Sequence, residues 1–390
     1  MPAADAPTER ASQAPHAARP GTAGRPALSD RLPRAWMFPL AVFAATWLLI
    51  LAAWDFGDAA YGHLHPWIWH FDYMDAGFYR AIAENGYAGD RAKAAFFPLF
   101  PLLIHLVGYL TGGNYFIAGL ITSVVCGAAS AVGVWALAAR VRDRRVADRA
   151  VMLYCVFPGA MTFGLLYSEP LAVAIGAAAL LALLDRRWLL AGIIGALGTA
   201  ERSTLIVLVA VSGVAAIQAI WTRREWRALL APALTPLGVL AYFGYLWHRF
   251  GDYAYWFRVE QEGWHQHTDW GVQTFRVLLW LDPRDVHQKL HVVLLTVMFA
   301  AAVAGIALML AARLPLLVNL YAILTILLAL SSANVGPKPR FMWTAFPIFI
   351  GAAAKLPRAV YWPVLVLSAV SFVLIVGGFR HHIIPGWMSP

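Results

Sequence analysis

The chain is poor in charge. Only 13% of its 390 residues are Asp, Glu, Lys or Arg, where a soluble globular protein averages about a quarter. Hydrophobic residues make up 61% and the mean hydropathy is +0.63, which excludes a soluble globular protein. Several stretches run for about 20 residues without a charge, long enough to cross a bilayer core as helices. There are two cysteines, Cys126 and Cys155, both inside apolar runs. That excludes a disulfide framework and reads as small buried thiols. The sequence also lacks a Walker A run, a GxGxxG after a strand, an HExxH and an Asp-x-Asp pair, so nucleotide-fuelled chemistry in a soluble domain is excluded. Internal repeats and a second domain are absent as well.

What is present is an all-α polytopic membrane protein. The net charge of +9 comes from Arg residues spread over short hydrophilic gaps. That is a topology signal, and no nucleic-acid partner is implied. Residues 1–34 are Ala, Pro, Arg, Thr and Gly without apolar periodicity and read as a disordered cytoplasmic tail, not a signal peptide. Residues 35–390 read as a single transmembrane domain with a first outer loop at 55–115.

Apolar segments lie at 36–54, 116–139, 150–166, 170–184, 188–200, 204–221, 228–247, 289–312, 314–332, 342–354 and 359–378. Segment 97–111 is shorter, is broken by Pro98 and Pro101 and carries His105. Placing it along the interface rather than across puts the basic loops 140–149, 185–188, 222–227 and 355–358 together in the cytoplasm with the N-terminus. About eleven spans result, and four polar segments share the outer face: 55–95, 167–170, 248–287 and 331–340.

Chemistry-bearing residues gather in those four segments. In "FDYMDAGFYRAIAENGY", Asp72, Asp75 and Tyr79 are spaced i, i+3 and i+7, on one face of a helix whose other face carries Phe78, Ala81 and Ile82. An amphipathic helix resting on the membrane surface would hold a carboxylate towards water as a general base; an Asp there can also simply cap the helix. Glu169 sits in the tight turn "YSEP", where an acid is costly without a cavity or a partner, although a solvated turn is the plainer reading. Arg202, beside Glu201, suits phosphate oxygens or a local pair with that glutamate. Lys338 and Arg340 read as a cationic clamp for a lipid phosphate, or as snorkelling side chains. The loop 248–287 carries Tyr253, Tyr255, Trp256, Trp264, His265, His267 and Trp270. The His spacing suits no helical metal motif, and the aromatics fit an interfacial belt or a sugar-stacking surface.

The run "MDAGFYRAIAENGY…AFFPLFPLL" resembles the PIG-V family, which includes the second mannosyltransferase of GPI-anchor synthesis and bacterial relatives. Its Trp-Asp-Ala-x-x-Tyr, Ile-Ala-x-x-Gly-Tyr and Phe-Phe-Pro-Leu-Phe-Pro stretches match Asp75, Ala76, Tyr79, Ile82, Ala83, Gly86, Tyr87 and residues 96–101. Met74 replaces the family's Trp. "YSEPL" is similar to the family's turn, and "GDYAYWFRVEQEGW" to its Gly-Asp-x-x-x-Phe stretch ending in Trp. In "ERSTLIVL", Leu205 stands where the family has Gly. The resemblance implies a GT-C fold, a polyprenyl-phosphate sugar donor (typically mannose), inversion at the anomeric carbon, and neither metal nor cofactor. It carries the catalytic Asp to Asp75 and the turn Glu to Glu169. Donor phosphate binding by Arg202, Lys338 and Arg340 is inferred from charge and side alone.

On that reading Asp75 takes the acceptor hydroxyl's proton, while Asp72, Tyr79, Glu169, Tyr87 and Trp264 bind substrate or support the site. Phe96, Phe97 and the prolines hold the loop in the interface. The acceptor would be a glycolipid, a polysaccharide or a protein, and the setting a bacterial plasma membrane with the site outside. Three rivals stand beside it: a lipid or lipid-linked sugar flippase, an acyltransferase using His63, His65 or His70, and a noncatalytic assembly subunit.

Overall fold

The computed structural model describes residues 36–61, 66, 70–279, 289–335 and 338–378. The 1–34 tail, His63 and His65 lie outside them. The described chain is helical throughout, with one isolated bridge, Thr268 to Ser332, and no strand among the described residues.

The apolar segments become helices α1 (Met37–Tyr61), α4 (Tyr115–Val141), α5 (Arg144–Val156), α6 (Glu169–Leu184), α7 (Trp188–Glu201), α8 (Val207–Arg223), α9 (Leu237–Phe250), α12 (Lys289–Ala311), α13 (Leu316–Ser331), α15 (Pro347–Lys355) and α16 (Arg358–Gly378). Between them lie α2 (Asp75–Asn85), α3 (Leu99–Gly108), α10 (Tyr255–Gly263), α11 (Val272–Leu278) and α14 (Lys338–Trp343). Five helical stretches among the described residues are long and apolar enough to cross a membrane unaided: Met37–Ala60, Tyr115–Val141, Ser203–Arg223, Trp226–Phe250 and Arg358–Gly378. The others are shorter or broken.

The breaks have local causes. The expected continuous span 150–166 is bent by 72° where α5 gives way to a 3-10 turn, Pro158–Gly164. Pro158 has no N–H to continue the helix, and it drives Phe157 into an extended conformation (φ −68°, ψ 146°). Pro347 sits in the first turn of α15, where proline is favoured, after a short break from α14. Segment 97–111 forms the ten-residue α3, about 15 Å long and half the bilayer core, prolonged only by a 3-10 turn at Tyr109–Thr111. It packs on α2 and α4, and Leu102 and Leu106 stay exposed on its outer side.

Helix α4 packs on α5 and α6, α7 on α6 and α9, α15 on α5 and α12, and α16 on α1. Small residues permit the closest approaches, as is usual where lipid supplies no hydrophobic contrast between helices. Gly57 of α1 faces Gly377 of α16, and a Cβ on Gly57 would land on the Gly377 carbonyl; nothing lies within 4 Å of a Cβ on Gly213. Gly57→Leu must therefore push two backbones apart and cost about 1–3 kcal/mol or more. It should lower the Tm of detergent-solubilised protein, whereas Gly213→Ala leaves Tm unchanged or slightly raised.

Candidate active site

Four separate pieces of chain meet at the loop-rich end of the bundle. Met74, at φ 54°, turns the chain sharply and α2 starts at Asp75, without a side-chain cap. Asp75, Ala76, Tyr79, Ile82 and Ala83 form the buried face of α2. This corrects the surface-helix expectation: the Asp75–Tyr79 face turns into the protein instead of towards water. Partners account for the inversion. Tyr79 OH lies 2.8 Å from the Ser168 hydroxyl, and an Asp75 oxygen lies 2.8 Å from an Arg340 Nη.

Arg340 comes from α14 and binds in two directions, since its Nε is 3.3 Å from a Glu169 oxygen. Glu169 opens α6, where Pro170 suits the first turn and the helix N-terminus favours a carboxylate. The same Glu169 oxygen accepts from Arg202 Nη2 at 3.2 Å. Arg202 follows the end of α7 in extended conformation (φ −165°, ψ 156°), which swings its side chain towards Glu169. Glu201 is buried within electrostatic reach of Arg202. The cluster therefore gathers three carboxylates and two guanidiniums, all of them at least largely buried. The Tyr167 ring flanks Arg340 at 4.9 Å, and the Phe341 ring lies 5.2 Å from Arg202.

Not every polar atom here is used. Asp75 Oδ1, Arg202 Nη1 and Trp264 Nε1 are buried without a hydrogen-bond partner among the described residues. Both Arg340 nitrogens are in ion-pair range of their carboxylates but outside hydrogen-bond geometry. Burial pushes the Asp75 carboxyl above its ordinary value; Arg340 opposes this and Glu169 adds to it. For Arg340, burial works against the charge, but Asp75 and Glu169 outweigh it and raise its pKa. A further acid, Glu260 of α10, was not marked out by the sequence. Burial first, and then the Asp75 charge, push it up to about 7. An acid inside the aromatic-rich loop was the only sign of it.

The other expected site residues are placed as follows. Asp72 does not cap α2; it pairs with Arg80 at 2.7 Å, and both side chains are half-buried. Tyr87 donates to the Phe96 carbonyl at 2.7 Å, fastening the turn after α2. Trp264 packs edge-on to Phe78 and Phe96. Phe96 and Phe97 are buried among Tyr79, Tyr242 and Phe78, which corrects the expectation that they anchor the loop in the interface.

The Lys338–Arg340 clamp does not form either. Two residues apart on one helical turn, the side chains diverge by about 200°. Lys338 Nζ donates to Thr274 Oγ1 and to the Leu330 and Ser332 carbonyls, tying α11 to the end of α13. Burial lowers its pKa to about 8, with Asp269 opposing. His70 pairs with Asp58 at 3.2 Å and stands outside the cluster.

No protein-family model matches the chain, and no curated protein matches it in sequence. The fold is similar to that of ArnT from Cupriavidus metallidurans, solved bound to undecaprenyl phosphate. The TM-score is 0.53 at 14% identity, over 89% of this chain and 72% of that one. Identity that low speaks for the fold alone. The chain is thus an all-α membrane protein of the GT-C fold.

Two outcomes follow. Arg340→Met leaves Asp75 and Glu169 buried without their shared cation and should cost about 3–5 kcal/mol. Arg80→Met, which breaks only the half-buried pair with Asp72, should cost less, about 1 kcal/mol; Tm measured side by side separates the two. In the second case Glu260 binds its proton more tightly when folded, so its contribution to stability falls as pH rises from its ordinary value of 4.5 through about 7. Glu260→Gln should flatten that part of a Tm-against-pH curve.

Proposed function

We propose that the chain is a membrane glycosyltransferase that moves a sugar from a polyprenyl-phosphate donor to a hydroxyl acceptor, with inversion. The observation that carries this reading is a buried carboxylate with one free oxygen, Asp75 Oδ1, in the same cluster as a guanidinium with a free Nη1 on Arg202. Burying five ionisable groups together is expensive, and a core of that volume would be at least as stable if apolar. A charged cluster of this kind at the end of a membrane bundle fits a site built for a charged substrate.

The roles follow from the unused atoms. As the acceptor oxygen attacks the anomeric carbon, its proton passes to Asp75 Oδ1. The bond from that carbon to the phosphate oxygen breaks, and the departing phosphate's charge is met by Arg202 and Arg340. Glu169 sets the spacing of the two guanidiniums, and Tyr79, through Ser168, fixes α2 against that turn. Lys338 acts at one remove, holding α14 so that Arg340 points inward. Tyr87, Trp264 and Asp72 support the loop that carries Asp75.

The likeness to a fold seen with undecaprenyl phosphate supports a polyprenyl-phosphate donor, and the motif resemblance points to mannose as the sugar. A glycolipid, a polysaccharide or a protein fits as acceptor. The distribution of the basic loops supports a cytoplasmic N-terminus and a cluster at the outer face of a plasma membrane.

Purified protein in nanodiscs, given radiolabelled polyprenyl-phosphate mannose and a membrane lipid extract, should form a labelled product. Asp75→Asn should reduce transfer at least about 10²-fold with Tm retained. Because Asp75 must be ionised to act as base, transfer should also fall on acidification, with its limb above the ordinary aspartate value of 3.8. Equal transfer by wild type and Asp75→Asn removes Asp75 from the chemistry. No transfer with any donor sugar or acceptor extract would favour the flippase reading.

A further inference from the structure

The opposite end of the bundle carries a second charged feature that plays no part in the transfer reaction. Helix α5 starts there, and α15 runs away from the Arg340 cluster to end there before α16 begins. A cavity of about 470 Å³ opens between the start of α5 and the start of α16, and Arg144, Arg145, Arg149 and Arg358 all line it. One carboxylate faces them, that of Asp148. It lies 3.9 Å from Arg144 and is already engaged, accepting a 2.7 Å hydrogen bond from Trp135 Nε1. Four guanidiniums against one carboxylate leave three positive charges in excess.

Arg149 is held in place rather than free. Its guanidinium lies 3.9 Å over the Tyr361 ring, and Nη2 donates to the Leu356 carbonyl at 2.7 Å. Tyr361 OH in turn donates to the Arg149 carbonyl at 2.9 Å. Its Nε is buried and has no hydrogen-bond partner among the described residues. Arg145 and Arg358 both lie within electrostatic reach of Arg149, and no ion pair with either is found among the described residues. Arginines that merely mark a membrane face spread apart and snorkel. Here they converge on one concavity around a fixed member.

The wall beside the cavity is apolar and faces outward. Trp362, which also lines the cavity, is 52% exposed, and Val360, Val366 and Leu367 on the same helix are exposed too. An anion bound there would have alkyl chains running beside it along α16, with Trp362 at headgroup depth, where tryptophan is favoured.

We propose that this cavity binds the phosphate of an anionic glycerophospholipid from the leaflet at that end of the bundle. The phosphate sits among the four guanidiniums, and the acyl chains lie along the exposed face of α16. The site is separate from the Asp75 cluster and does not depend on what that cluster does.

The test is binding, read by native mass spectrometry or by Tm in a neutral detergent. The probes are short-chain phosphatidylglycerol, short-chain phosphatidylcholine and inorganic phosphate. Phosphatidylglycerol should bind at least about tenfold more tightly than phosphatidylcholine. The double variant R145Q/R358Q, which alters two exposed side chains only, should erase most of that preference with the lipid-free Tm unchanged. Equal binding of the two lipids, or an undiminished preference in the double variant, overturns the proposal. Inorganic phosphate binding as tightly as phosphatidylglycerol overturns it as well, because the ligand would then be a free anion and not a lipid.

Discussion

Arg340 bridging Asp75 and Glu169 is the contact on which the loop-rich end of this protein depends. A guanidinium buried in a membrane protein is stable only with compensating charge, and two carboxylates from separate elements provide it. Because Asp75 is on α2, Glu169 at the head of α6 and Arg340 on α14, one side chain decides how three pieces of chain meet. Arg202 joins through the same Glu169 oxygen and adds the end of α7. The remaining contacts at this end position these four: Tyr79 on Ser168, Tyr87 on the Phe96 carbonyl, and Lys338 on the α13 terminus.

This arrangement gives Asp75 two opposing influences. Burial favours the protonated acid and the neighbouring cation favours the carboxylate, and the balance stays on the side of a raised pKa. A carboxylate held in this way is more basic than a free aspartate yet remains oriented by Arg340. Glu260 shows the same physics from the other side, its proton retained by burial and by the Asp75 charge. A phosphate entering beside Arg202 and Arg340 would bring negative charge to guanidiniums that already carry carboxylates. The position of such a phosphate and the proton held at Asp75 would then be electrostatically linked.

Fold class and the residues of the cluster were largely legible in the amino acids. The apolar runs marked the helices, and the odd acids and arginines at their ends marked Asp75, Glu169, Arg202 and Arg340. Pairing was not legible, because it depends on which segment ends come together in space. Glu201 looked like the natural partner of Arg202 by adjacency, yet Glu169, distant in sequence, is the one in hydrogen-bond range. The facing of α2 was misjudged for a related reason: helical spacing groups Asp75 with Tyr79 but cannot say whether that face meets water or a buried arginine. Lys338 and Arg340 looked like one clamp as neighbours in a loop, and became two separate contacts once that loop proved to be a helical turn. Glu260 escaped notice because the Asp75 charge that acts on it comes from a segment distant in sequence.

The central claim is that the Arg202 and Arg340 guanidiniums receive a polyprenyl phosphate. The most direct measurement is the Kd of undecaprenyl phosphate for wild type and Arg202→Met in nanodiscs, with Arg223→Met at the far end of α8 as control. The account predicts that Arg202→Met weakens binding at least about tenfold, the order expected for one lost charge-assisted contact, and that Arg223→Met leaves it unchanged. Equal Kd values for wild type and Arg202→Met would contradict it.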